Sequence, residues 1–354
     1  TLLYIPDISG FTDFVNKTEI NHSRHIISEL LEIIINSDKF DMSVSEVEGD
    51  AILFFKDKVP SVSDLIEQCK HTFINFHNHL LKYDTERICR CGACETANKL
   101  SLKFIIHQGE VERLNIKDHK KLHGWDVILA HKLLKNSITE NEYILITDSF
   151  GLDLDTIDKL DKEWVSIKRE SDTYENVGKY DYSYIPIHPL LEILNEPTPV
   201  SFPRLSSNKI IAENIIQAPI GHTYENYADL DKRMEWNDDI KDVILRDKGL
   251  NKTGSLHTCL VGQHSLDIES LGRLEDEEQI VYGERLNEFK GLQDILTIYT
   301  FVKEGENTRV KVEVDYKIRS WFGRLLRPFL QRMFQKRTEK GLKLLKKASE
   351  ENGG

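Results

Sequence analysis

Cysteine is scarce and unevenly placed in this chain: five in 354 residues, three of them crowded between positions 89 and 94. That usage excludes a secreted disulfide scaffold and fits a reducing cytoplasm. Long hydrophobic runs are missing too; none approaches the roughly 20 residues that cross a bilayer, and no charged-then-apolar leader opens the sequence. Positive charge is short: 47 Lys and Arg against 59 Asp and Glu leave −12, which excludes a general nucleic-acid binder, because phosphate backbones need clustered basic groups. There is no Gly-Lys-Ser/Thr phosphate loop and no nucleophile–base pattern of a hydrolase triad. What remains is an ordinary globular composition, 40% hydrophobic and 30% charged, long enough for two cores.

Three prolines, Pro197, Pro199 and Pro203, prevent regular structure in one short span. We therefore expect domains at 1–193 and 208–351 joined by a linker at 194–207. Upstream, strand-like and helix-like runs alternate: a strand to Asp7, a helix over 23–36, a strand pair around Gly49-Asp50, a helix over 61–83, strands at 102–107 and 110–114, a helix over 125–136 and a strand at 143–147. Downstream, alternating strands at 209–216, 255–263, 279–287, 296–303 and 308–318 precede a basic amphipathic helix from Trp321 to about Ser349.

Asp7-Ile8-Ser9-Gly10-Phe11-Thr12 and Glu48-Gly49-Asp50-Ala51-Ile52 each set an Asp at the end of a strand-like run. Two such carboxylates brought together suit Mg2+ or Mn2+, and the Ser9-Gly10 turn leaves N–H groups for a phosphate. With His107-Gln108-Gly109-Glu110, the helix led by Gly124 and the strand Tyr143–Thr147, these motifs resemble a divergent class III nucleotidyl cyclase homology domain, of the uncharacterised DUF2652 kind, over roughly residues 1 to 190. The resemblance implies an α/β ferredoxin-like fold, a metal held by Asp7, Asp50 and the Ile8 carbonyl, and a nucleoside triphosphate near Ser9, Gly10, Phe11 and Thr12. It also implies an active site shared with a second cyclase-like chain or a second copy. The sequence departs from the family where chemistry is done. Ile128 and Lys132 replace the ribose-orienting Asn and the phosphate-stabilising Arg, so that Lys132 alone could supply catalytic charge. Glu46 and Lys121 invert the charges at the two base-selecting positions and could pair with each other.

Cys89-x-Cys91-x-x-Cys94 could converge on Zn2+, with Cys69 the favoured fourth ligand and His71, His77, His79 and His107 as other candidates. The second domain resembles the helix-grip superfamily of START-like and polyketide-cyclase-like (SRPBCC) proteins. Its carriers are Ile215–Ile220, Leu230–Trp236, Ile280–Glu284 and the closing helix. That resemblance implies an α+β fold whose antiparallel sheet wraps the last helix around a cavity for a hydrophobic small molecule or lipid. Trp236, Tyr282, Glu284, Tyr299 and Trp321 are the candidate lining residues, with Phe301 and Phe329 further candidates. The expected protein is a cytoplasmic sensor or regulator with a metal- and nucleotide-binding domain. An active noncanonical nucleotidyl cyclase and a lipid or polyketide carrier or cyclase are the alternatives.

Overall fold

The computed structural model describes residues 1–16, 20–117, 119–150, 164–246, 251–318 and 325–351. Two compact units are present: Thr1–Lys82 with Thr96–Pro197, and Tyr83–Glu95 with Thr198–Gly354.

The first unit opens with β1 (Leu2–Ser9), buried along almost its whole length, then α1 (Phe11–Asn16) and α2 (Ile20–Asn36). The hairpin β2 (Ser43–Glu48) and β3 (Ala51–Lys56) follows, then α3 (Val62–Glu86), the short α4 (Gly92–Thr96) and β4 (Ser101–Gln108). These strands lie in the order β2-β3-β1-β4, all antiparallel, which is the split β-α-β order of ferredoxin-like folds. β7 (Tyr143–Thr147) adds parallel to β4, and β9 (Gly178–Pro186) and β8 (Lys168–Tyr174) continue antiparallel, making a seven-stranded mixed sheet. Alternation divides its faces. Leu3, Ile5, Leu53 and Ile105 pack with Val127, Leu129 and Leu133 of α5 (Trp125–Leu133), while the buried rings of Tyr4 and Phe104 stack at 5.8 Å. A separate two-stranded ribbon, β5 (Glu112–Ile116) with β6 (His119–His123), stands between β4 and α5 in sequence.

Gly109 shows why the β4–β5 turn needs glycine. A Cβ there would lie 2.1 Å from Asp126 Cγ, on the side chain that holds the turn: Asp126 accepts from His107 Nε2 at 2.9 Å and from the Glu110 amide at 2.7 Å.

In the second unit β10 (Ile210–Ile216) is followed by α6 (Ile220–Ala228) and α7 (Leu230–Trp236). Asp229 caps α7 by accepting from the amides of Asp231 and Lys232. Six strands then run in an antiparallel meander, β11 (Ile240–Leu245), β12 (Leu256–Val261), β13 (His264–Glu275), β14 (Gln279–Phe289), β15 (Leu292–Glu304) and β16 (Asn307–Ile318). The sheet order is β10-β16-β15-β14-β13-β12-β11. Register shifts between Ser270 and Gly272 and between Gln293 and Leu296 mark bulges, which bend and twist strands. The C-terminal helix α8 (Arg327–Glu351) buries Leu342 and Leu345. The expected apolar stripe is not covered at its start: Leu325, just before the helix and 71% exposed, and Phe329, in its first turn and 66% exposed, face outward, and Phe329 does not line the cavity. Trp321 falls outside the described residues.

Two further segments complete this unit. Phe202, in the proline-rich stretch, packs so closely on β14 that a Cβ on Gly283 would meet its ring at 2.7 Å. Within residues 83–95, Ile88 is fully buried in the same core, its amide donating to the Asn251 carbonyl at 3.3 Å and its own carbonyl accepting from Tyr224 Oη at 2.7 Å.

Candidate functional site

Pairing of β1 with β3 sets Asp7 opposite Ala51, and the Ile8 amide donates to the Asp50 carbonyl at 3.0 Å. The two carboxylates are close enough to interact. Asp50 is held above the ordinary carboxylate range, first by burial and then by the negative charge of Asp7, while Lys103 opposes the rise. Lys103 Nζ lies 3.1 Å from Asp7 Oδ2 and donates to the Leu134 carbonyl at 3.3 Å. One ammonium thus faces two carboxylates, and the unbalanced negative charge together with hard oxygen donors fits a divalent cation. Ile8 is itself buried. Gly10 takes φ +88° at the turn into α1, where the Phe14 amide donates back to its carbonyl at 3.0 Å. Phe11 brings the two motifs together: a Cβ on Gly49 would be 3.8 Å from its ring. Ser9 Oγ reaches the Asn141 carbonyl at 3.4 Å, and Thr12 is exposed.

Lys103 escaped the sequence reading. Its signal is a lone cation in the apolar run Leu102–His107 that pairs with β1.

The inverted pair does meet. Lys121 Nζ lies 2.9 Å from Glu46 Oε2, and His131 Nε2 is 3.6 Å from the other oxygen of Glu46. On α5, Ile128 is 46% exposed and offers no hydrogen bond, while Lys132 donates to the Glu175 carbonyl at 3.0 Å. His107, expected as a spare zinc ligand, is instead buried between Thr147 Oγ1 at 2.8 Å and Asp126 at 2.9 Å; burial pushes its pKa down. His77 is likewise taken, by Glu142 at 2.8 Å.

Of the thiols, the Sγ atoms of Cys89, Cys91 and Cys94 lie within 4.8 Å of one another. Tetrahedral zinc with Zn–S of about 2.3 Å sets sulfurs roughly 3.8 Å apart, so the donor set fits. Cys69 does not belong with them. It is fully buried in the first unit's core, and burial drives its thiol above the ordinary range; no disulfide joins any of the five cysteines.

In the second unit the sheet and α8 enclose a cavity of about 250 Å3. Trp236, Glu284 and Tyr299 line it; Tyr282 does not, and with Phe301 it is wholly buried in the core. Tyr282 serves from behind, its hydroxyl donating to Glu284 Oε1 at 3.0 Å. Arg233, Tyr227 and His257 were not anticipated. Arg233 Nη1 donates to Glu284 Oε1 at 2.7 Å, its Nε to the Tyr227 carbonyl at 2.7 Å, and its guanidinium carbon sits 4.1 Å from the Tyr227 ring centroid. Tyr227 Oη donates to Glu284 Oε2 at 3.1 Å. Burial pushes the Glu284 pKa up, but the Arg233 guanidinium, with the Tyr282 hydroxyl, holds it below the ordinary carboxylate range. Nothing in local sequence links Arg233 to a Glu 51 positions on; only the tertiary fold does.

Among the described residues, no helix is long and apolar enough to cross a membrane. Residues 27–143 match a family described as "Protein of unknown function (DUF2652)". An uncharacterized protein of Mycobacterium tuberculosis, Rv2561/Rv2562, is 34% identical over 132 residues, which cover 36% of this chain. The chain spans 60% of the length of that relative. Among solved structures, the guanylate cyclase domain of RhGC from Catenaria anguillulae in complex with GTP is 17% identical, with a TM-score of 0.36, over 52% of this chain and 95% of that one. The protein TTHA0849 from Thermus thermophilus is 21% identical, with a TM-score of 0.31, over 40% of this chain and 96% of that one.

Proposed function

We propose that this chain is a sensory or regulatory protein: its first unit a divergent cyclase-like domain that binds a divalent metal and a nucleotide, its second a START-like, helix-grip domain that binds an apolar ligand. The observation that carries the first half is the juxtaposition of Asp7 and Asp50, with Asp50 destabilised as an anion by burial and by its neighbour. Asp7, Asp50 and the Ile8 carbonyl would hold Mg2+ or Mn2+, which when bound neutralises phosphate oxygens. Ser9 to Thr12 would face the nucleotide, with Glu46 and Lys121 beside its base. The cavity lined by Trp236 and Tyr299 supports the second half. Pairing of two copies, or with another cyclase-like chain, would complete the nucleotide site.

A product-forming cyclase is the weaker reading, because Ile128 cannot orient a ribose and Lys132 is engaged with a backbone carbonyl. The test is a thermal-shift panel of ATP, GTP, CTP and UTP with Mn2+. One nucleotide is expected to raise the melting temperature of the wild type and to lose that effect in Asp7→Ala and Asp50→Asn. No shift with any of the four would remove the site.

Zinc at Cys89, Cys91 and Cys94 would pin its loop by tying three thiolates to one ion. One equivalent of Co2+, as a visible substitute, should give thiolate-to-cobalt absorption that disappears in Cys91→Ser and persists in Cys69→Ser. A colourless titration of the reduced chain would end the assignment.

A further inference from the structure

The cavity of the second unit is lined mainly by apolar side chains; Arg233 and Glu284 form a buried ion pair in its wall, and Asp239 and Arg337 also line it. Donors and acceptors there do not balance. Glu284 is well supplied: Oε1 accepts from Arg233 Nη1 at 2.7 Å and from Tyr282 Oη at 3.0 Å, and Oε2 accepts from Tyr227 Oη at 3.1 Å. Arg233 is not. Its side chain is 3% exposed, it lines the cavity, and its Nη2 is buried without a hydrogen-bond partner. A guanidinium presents five N–H donors in a rigid fork, and leaving such a donor unmet inside a protein costs free energy that a ligand acceptor recovers.

Charge decides what kind of acceptor. The lining carries two cations, Arg233 and Arg337, and two anions, Glu284 and Asp239, so no net positive charge calls for an anion, and a ligand carboxylate at Nη2 would bring a second anion beside the Glu284 carboxylate in a medium that screens poorly. His257, 3.9 Å from Glu284 Oε1, adds no charge to attract an anion, because burial keeps it neutral at ordinary pH. A carbonyl or hydroxyl oxygen satisfies the spare donor without that repulsion. Size sets the rest: about 250 Å3 is just below the roughly 300–1,000 Å3 of small-molecule sites, room for one chain or a few fused rings and too little for a two-chain phospholipid.

We propose that the cavity takes an uncharged, mainly apolar molecule carrying one terminal carbonyl or hydroxyl oxygen, and that Arg233 Nη2 donates to that oxygen. This rests on the reading of the second unit as an apolar-ligand domain. Arg233 is the residue that sets head-group specificity, and Glu284 holds the guanidinium in place.

The experiment is displacement of a neutral fluorescent probe, N-phenyl-1-naphthylamine, from the full chain at pH 7. The competitors are 2-dodecanone, its isostere 2-methyl-1-dodecene, 1-dodecanol and dodecanoate. The ketone or the alcohol should bind at least about tenfold more tightly than dodecanoate. In Arg233→Lys, which keeps the charge toward Glu284 and removes the fork, the ketone-to-alkene affinity ratio should fall about tenfold or more, the size of a hydrogen bond from a charged donor. Tightest binding by dodecanoate, or a ratio untouched in a folded Arg233→Lys, would overturn the head-group assignment and leave the apolar cavity standing. Failure of every competitor to displace the probe would overturn the cavity reading as well. If the lysine variant does not fold, the wild-type ketone-to-alkene ratio keeps the test: a ratio near one means that no donor meets the oxygen and overturns the assignment.

Discussion

Arg233→Ala is expected to lose about 3–5 kcal/mol of stability, the range for breaking a buried ion pair from one side. The loss has three parts. Glu284 keeps its burial but loses its counter-charge and its 2.7 Å donor, the Tyr227 carbonyl loses a 2.7 Å donor, and the Tyr227 ring loses the guanidinium stacked on it. Urea unfolding of the full chain measures it, and at the usual dependence on size the melting point of this unit should fall by roughly 10 °C. Because the penalty comes from the stranded carboxylate, Arg233→Met combined with Glu284→Gln should recover at least half of it. A double variant no more stable than Arg233→Ala would show that the guanidinium acts through packing alone.

Acid should weaken the second unit before its carboxylates are protonated. His257 is fully buried and neither ring nitrogen has a hydrogen-bond partner. Burial, which outweighs the attraction of Glu284 and is reinforced by Arg233, pushes its pKa down to about 4. The unfolded chain holds an ordinary imidazole near pKa 6.5. Between those values the unfolded state binds the extra proton, so stability falls as pH drops. The contribution is complete above about pH 6.5 and lost progressively toward pH 4, to a total of about 3 kcal/mol. Glu284 acts in the same direction but lower, because its folded pKa lies below the ordinary glutamate value and its contribution disappears only on titrating through that depressed value. Chemical denaturation at half-unit steps from pH 7 to pH 4 should show the loss in wild type and a much flatter profile in His257→Leu. Parallel profiles would mean that the ring is protonated in the folded protein.

Much of this architecture was legible in the residues, for reasons that also mark where legibility stopped. Tyr143–Thr147 was expected as a strand and is one, because a run of large apolar residues buried on both faces carries its own signal. β13 was missed entirely. His264–Glu275 mixes Ser, Asp, Glu, Gly and Arg with Leu and Ile and becomes a strand because β12 and β14 supply its partners on both sides, which is tertiary context that no local window contains. The closing helix was expected from its periodicity, yet periodicity does not say which turns are covered, and Leu325 and Leu326 face solvent while Leu342 and Leu345 are buried. At the first site both carboxylates were readable from their motifs, and the Glu46–Lys121 contact from their opposite charges. Lys103 and Arg233 needed the folded chain to be seen beside their partners, and Cys69 failed as a ligand because its helix turns it into the core.

The second unit is sewn from two stretches of chain that are far apart in order of synthesis. Residues 83–95 leave the ribosome about a hundred positions before Thr198, yet they supply Ile88 to its core, the acceptor for Tyr224, and a Glu86 carbonyl that accepts from the Thr253 amide at 2.8 Å. During translation that segment must wait, its apolar side chain uncovered, until the last strands emerge. A gene cut at Pro197 therefore does not separate two self-sufficient products: the leading half carries an orphaned piece of another unit's interior, and the trailing half starts life with a hole where Ile88 belongs.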